Sequence, residues 1–344
     1  MRPRAAAAVA VAALAMVAAP AANGQAPPAQ QKKGPGGSQL PFRQAQSLLH
    51  ESPAGDQFDY FTFEPRGYAG KPAKRPARLP VVLFLHGYGA WDPARYQPWL
   101  DHLTRAGNLV VYPRYQESRL SPPPLYTPNA IAAIRNALPW LRAHAKRPPS
   151  LRKGVIVIGH SYGGAVAANV AGRAARSGLP KPAAVFLVNP FVENAGYKPP
   201  DDAIDPDLSA IPRRAKALCL VADNDAFAGR LGCDEFWSRT RHLGAANRDY
   251  LWLHSDSHGD PDLNASHFSP SAVGTPDTHD FRGFWKLADG LRDCSLFGEH
   301  CRYALGHTRE QRSLGAWSDG TRVRPLGVFD KRPPCPAAGI TLGC

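Results

Sequence analysis

Much of what would assign this 344-residue chain to a class at once is missing from it. Past the first two dozen residues it has no apolar run long enough to cross a bilayer, which argues against a multispanning membrane protein. There is no internal repeat, so a solenoid or propeller is not expected. No H-E-x-x-H and no C-x-x-C occurs, which argues against the commonest zinc sites. Carboxylates are scarce: 28 Asp and Glu stand against 41 Lys and Arg, for a formal charge of +13. The cations are scattered rather than gathered into a stripe with aromatics, so a nucleic-acid module is not expected. Such a charge fits a solvated surface, with weak association to an anionic envelope surface left open.

What is present begins with MRPRAAAAVAVAALAMVAAP, two arginines ahead of an apolar run that stops at Pro20. The run is short for a transmembrane span, and small residues follow it. We read residues 1–26 as a secretory signal peptide, cleaved between Ala21 and Ala26. Its removal takes away Arg2 and Arg4 and leaves a charge of +11. All six cysteines lie in the mature part, an even number that suits disulfides in a secreted or periplasmic protein. Cys294/Cys301 and Cys335/Cys344 are close enough to close small loops and would leave Cys219/Cys233, but spacing alone does not fix the pairing.

Residues 27–57 open with PPAQQKKGPGGSQL and read as a flexible linker or N-terminal extension. From Phe58 to Asp293 apolar strands alternate with helical stretches. FDYFTFE alternates in and out, while VVLFL (81–85), VIVI (155–158), AVFLV (184–188) and ALCLVA (217–222) are apolar throughout. Continuous apolar strands between helices imply one α/β domain, a doubly wound, mostly parallel sheet covered on both faces. Residues 294–344 read as an irregular tail wrapped on the domain and held by Cys335–Cys344, with a turn at Asp319-Gly320.

The most informative stretch is VIVIGHSYGG, followed by the alanine-rich AVAANVAGRAAR. A strand that passes through Gly159-His160-Ser161-Tyr162-Gly163 into a helix makes a sharp turn that lifts one serine hydroxyl above the sheet. Ser161 is the candidate nucleophile. A serine hydroxyl needs a base to take its proton, and the base needs a carboxylate to orient it. ALCLVA runs into Asp223-Asn224-Asp225, and histidines follow at 254, 258 and 267 in HSDSHGDPDLNASHFSP. His254, Asp256 and His258 also suggest a metal site, a reading that a serine triad competing for the same histidines disfavours.

With His86-Gly87-Tyr88-Gly89 after VVLFL, these motifs stand in an order that resembles the α/β-hydrolase superfamily. The style is close to uncapped secreted serine esterases of the dienelactone hydrolase, polyester hydrolase and chlorophyllase-like branches. The chain departs from the first in carrying Ser161 rather than cysteine, and from the second in its long His254–Pro270 loop and extended tail. The resemblance implies that Asp225, three residues after Ala222, is the acid, with Asp223 as the alternate. It implies that His267, in NASHFSP, is the base, with His258 as the alternate. The amides of Tyr88 and Tyr162 would form the oxyanion hole, with the Tyr88 and Trp91 rings walling a pocket.

The expected activity is a secreted serine hydrolase that cleaves a small-molecule or polymeric carboxylic ester through an acyl-enzyme, with no metal or organic cofactor. The same triad serves a peptidase, lipase or amidase, although the short segment 190–215 leaves little room for a lipase lid. A catalytically silent binding protein of the same fold is the alternative of a different class.

Overall fold

The computed structural model describes residues 24–193, 203–271, 274–335 and 343–344. The signal segment therefore lies outside the described residues, apart from residues 24–26. Nine strands form one sheet: β1 (Phe42–His50), β2 (Tyr60–Tyr68), β3 (Val81–Leu85), β4 (Leu109–Pro113), β5 (Val155–His160), β6 (Pro182–Val188), β7 (Lys216–Ala222), β8 (Arg248–Leu253) and β9 (Gly327–Phe329). Their spatial order is β1-β2-β4-β3-β5-β6-β7-β8-β9. The strands from β3 to β8 run parallel, while β1, β2 and β9 join antiparallel at the two sides. The doubly wound, mostly parallel sheet is the expected fold.

The all-apolar strands follow from burial on both faces. Val81, Leu83 and Leu85 of β3 enter one core, packed with α2 (Tyr126–His144) and α3 (Tyr162–Arg173). Val82 and Phe84 enter the other, packed with α1 (Gln97–Arg105) and α5 (Trp285–Phe297). β5 divides in the same way, Val155 and Val157 to the first core and Ile156 and Ile158 to the second. Successive residues of a strand face opposite sides, so a strand covered on both must be apolar at every position.

The chain leaves β3 for β4 on one side and returns to β5 on the other, with Leu85 beside Gly159. At such a reversal the loops after two neighbouring parallel strands diverge and leave a crevice beyond their carboxyl ends. HGYG and the serine turn are those two loops.

Two expectations are corrected. Residues 27–57 are not a flexible linker. Phe42–His50 pairs with β2 along its length, and the stretch before it is tied to the domain. The Gly36 amide donates to Asp289 at 2.9 Å, Thr278 Oγ1 to the Pro28 carbonyl at 3.0 Å and Arg282 to the Ala29 carbonyl at 2.9 Å. Those donors satisfy a segment that has no regular structure of its own. The tail is likewise not wholly irregular, since Gly327–Phe329 pairs with β8 and extends the sheet. The Asp319-Gly320 turn is present, with the Trp317 amide donating to the Thr321 carbonyl at 2.8 Å.

All six cysteines pair, as Cys219–Cys233, Cys294–Cys301 and Cys335–Cys344. The first joins β7 to α4 (Leu231–Arg239). Three disulfides are in keeping with an oxidising, non-cytosolic location.

Phe186, fully buried in β6, packs edge-on to Trp99 across the second core. Phe186→Ala is expected to lower unfolding free energy by about 3–5 kcal/mol in a denaturant titration; a loss below about 1 kcal/mol would show that this face is loosely packed.

Candidate active site

β5 ends at His160, and Ser161 takes φ 57° and ψ −130° before α3 begins at Tyr162. L-residues avoid that backbone region, so close packing on both sides must hold the serine there. A Cβ at Gly163 would fall on the carbonyl oxygens of Leu85 and His86, and one at Gly159 on the Gly163 carbonyl. Only glycine lets the start of α3 approach β3 and β5 so closely. The Ser161 amide donates to Val188 at 3.1 Å, and its carbonyl accepts from Phe191 at 3.0 Å.

His267 reaches this turn from the loop after β8. Its Nε2 lies 3.0 Å from Ser161 Oγ, and its Nδ1 lies 2.8 Å from Asp225 Oδ2. Ser161, His267 and Asp225 are all buried. The other carboxylate oxygen of Asp225 accepts the amides of Phe227 at 2.9 Å and Ala228 at 2.8 Å. Burial works against charge on Asp225, but the His267 hydrogen bond and these amides outweigh it and hold the carboxyl below its ordinary value. A carboxylate held in its charged form suits an Nδ1–H on His267, an arrangement that would leave Nε2 free to accept from the serine hydroxyl.

The two alternates lie elsewhere. Asp223 accepts the Ser255 hydroxyl at 2.8 Å and amide at 2.9 Å, and His254 Nδ1 lies 3.2 Å from it. This carboxylate ties down the start of the loop that carries His267. His258 pairs with Asp319 of the tail, at 2.8 Å, on the surface. Asp256 accepts the Trp317 indole at 3.2 Å and the Arg324 amide at 2.8 Å. Among the described residues no group of three or more His, Cys, Asp or Glu is placed to hold a metal ion.

Tyr162 is the first residue of α3, and Tyr88 stands on the facing loop with its ring 6.0 Å from that of Tyr162. Among the described residues no acceptor meets the Tyr88 amide. A cleft of about 440 Å³ opens here, lined by Tyr88, Arg119, Tyr126, Tyr162, Phe191 and Phe227 among others. Trp91 is not part of its lining. The rings continue from Tyr162 to Phe191 at 4.6 Å, to Phe227 at 5.4 Å and on to His267 at 4.8 Å. Sequence reasoning passed over Phe191 and Phe227. Their signal was position, since each lies within three residues after a strand end or the acid. Tyr88, Leu120 and Phe227 of this lining stay exposed, so the rim of the cleft is apolar.

Residues 82–228 match a family model described as alpha/beta hydrolase fold. No curated protein matches the chain. The matched span runs from β3 through the serine turn to the Asp225 loop, and it agrees with the sheet topology, which gives the chain the alpha/beta hydrolase fold.

A smaller cleft, about 170 Å³, lies behind the His267 loop, where Tyr96, Trp99, Phe268, Asp277 and Asp280 meet. Burial raises the Asp280 carboxyl from 3.8 to about 8, against the hydrogen bond from the Asp277 amide and with a smaller push from the Asp277 charge. Between those values the folded chain keeps a proton that the unfolded chain has released, so stability falls as pH rises across the window. Asp280→Asn is expected to raise Tm relative to wild type at pH 8 and to leave it unchanged near pH 4. Equal Tm shifts at both pH values would contradict this.

Proposed function

We propose that the protein is an exported serine hydrolase that cleaves carboxylic esters. The observation that carries this reading is the continuous hydrogen-bonded line from Ser161 through His267 to Asp225, set at a strained turn beside an apolar cleft. Ser161 Oγ attacks the ester carbonyl as His267 Nε2 takes its proton. The oxyanion is received by the amides of Tyr162 and Tyr88, which cost nothing to reorganise at that moment because the helix and loop already hold them. His267 then gives the proton to the departing alcohol, and water admitted by the same base frees the acid. No step calls on a cofactor.

The aromatic lining and the apolar exposed rim favour a hydrophobic acyl group, presented by a small ester or by an ester polymer at the surface. Export rests on the signal-like N-terminus and on the three disulfides. A peptidase, lipase or amidase would use the same three residues, and an ester, anilide and peptide panel separates them. A silent binding protein of this fold would hold such compounds without turning them over.

Ser161→Ala and His267→Ala are each expected to lower ester kcat by about 10⁴-fold with the fold intact. Asp225→Asn should fall far below Asp223→Asn, and His258→Ala should stay close to wild type. Substantial ester turnover by pure Ser161→Ala protein would overturn the mechanism.

A further inference from the structure

His160, the residue between Gly159 and the serine, is buried with both ring nitrogens engaged. Its Nδ1 lies 2.7 Å from the Tyr96 hydroxyl and its Nε2 lies 2.8 Å from the main-chain carbonyl of His267. The Tyr96 oxygen in turn accepts the Gly87 amide at 2.9 Å. With the imidazole neutral, only one arrangement of protons satisfies all three bonds. A carbonyl can only accept, so His160 carries its proton on Nε2. Its Nδ1 is then an acceptor, and the single tyrosine hydrogen points at it.

Gly87 immediately precedes Tyr88, His160 immediately precedes Ser161, and the third carbonyl belongs to the base itself. We propose that Tyr96 and His160 are positioning residues. Their one-way relay, Gly87 N–H to Tyr96 O–H to His160 to the His267 carbonyl, fixes the spacing between oxyanion donor, nucleophile and base. This rests on the reading of Ser161 and His267 given above.

Two further observations support it. Burial, and then the nearness of His267, push the His160 imidazole down to about 3, so the neutral form that the relay requires is the form present near neutral pH. The same carbonyl is also approached by Asn189 Nδ2, at 3.3 Å, while Asn189 Oδ1 accepts the Ala222 amide at 2.9 Å. The base loop is thus held from β5 and from the strands beside it. A shift of about 1 Å in such a constellation costs up to about a hundredfold in rate, which is the scale of effect expected here.

The test compares wild type with His160→Phe, His160→Gln, Tyr96→Phe and the Tyr96→Phe/His160→Phe double variant. Three readouts are needed: ester kcat and KM, the rate of inactivation by a fluorophosphonate, and ring ¹⁵N shifts of His160 where it is retained. His160→Phe and Tyr96→Phe are expected to lose about 10–100-fold in kcat and in inactivation rate, with KM within about threefold of wild type. The double variant should be no worse than the poorer single one, because either change breaks the same chain. His160→Gln, whose amide nitrogen reaches the Nε2 position, should recover part of the loss.

Single-variant rates within about twofold of wild type would overturn the proposal, as would losses that multiply in the double variant. A fall in Tm without a fall in kcat would do the same. If His160→Phe does not fold, Tyr96→Phe and His160→Gln carry the comparison. The ¹⁵N shifts are independent of activity: a neutral Nε2–H tautomer at pH 7 is expected, and an imidazolium or Nδ1–H tautomer refutes the relay. Wild-type protein that resists the fluorophosphonate would count against the serine mechanism, while the shifts still decide the relay.

Discussion

The backbone turn at Ser161 is the constraint on which the rest depends. A serine at φ 57° is unfavourable by itself and persists because β5, α3 and β3 meet there without intervening side chains. Gly159 and Gly163 make that approach possible, and the alanines of α3 continue it by letting the helix lie flat on the sheet. The twice-covered parallel sheet holds the turn from below. Its strand reversal between β4 and β5 places the HGYG loop opposite the hydroxyl. Relaxing the turn would drop the hydroxyl out of line with His267 even if every other contact survived.

Above the sheet, two adjacent carboxylates divide the work by what surrounds them. Asp225 faces His267 and is charged because amides and an imidazole hydrogen bond offset its burial. Asp223, two residues earlier, instead ties down Ser255 and His254 at the start of the loop that carries His267. One is bonded to His267, the base of the proposed mechanism, and the other to the chain that leads toward it. The tail adds to the same purpose from outside, since Asp319 and Arg324 meet the loop at His258 and Asp256.

The parts legible in the sequence are those whose physics is local. β3, β5 and β7 are apolar at every position because both faces are covered, and the elbow is a contiguous pattern with glycines where close approach demands them. The parts that escaped are settled by distant partners. β1 reads FRQAQSLLH, exposed along most of its length and without clean alternation, and becomes a strand only because β2 offers an unpaired edge. Residues 27–40 look like a linker because their hydrogen bonds go to α5 and the residues just before it, some 250 positions away. β9 is three residues long and has no pattern of its own. Asp225 and Asp223 are equivalent as sequence, and so in large part are His267 and His258. Chain direction after β7 and β8 separates them in space, and resemblance rather than periodicity favoured one of each. Phe191 and Phe227 carry no signal beyond their positions just after β6 and after Asp225, and nothing local marks Tyr96 or His160, because their partners come from loops that fold back across the carboxyl ends of the strands.

The central claim is that Ser161 is a nucleophile activated by His267. The most direct measurement is to treat the mature protein with a fluorophosphonate, digest it and locate the adduct by mass spectrometry. The account predicts one adduct per chain, on Ser161, abolished in Ser161→Ala and strongly slowed in His267→Ala. An adduct on another residue, or a folded protein that takes up no label, would contradict it.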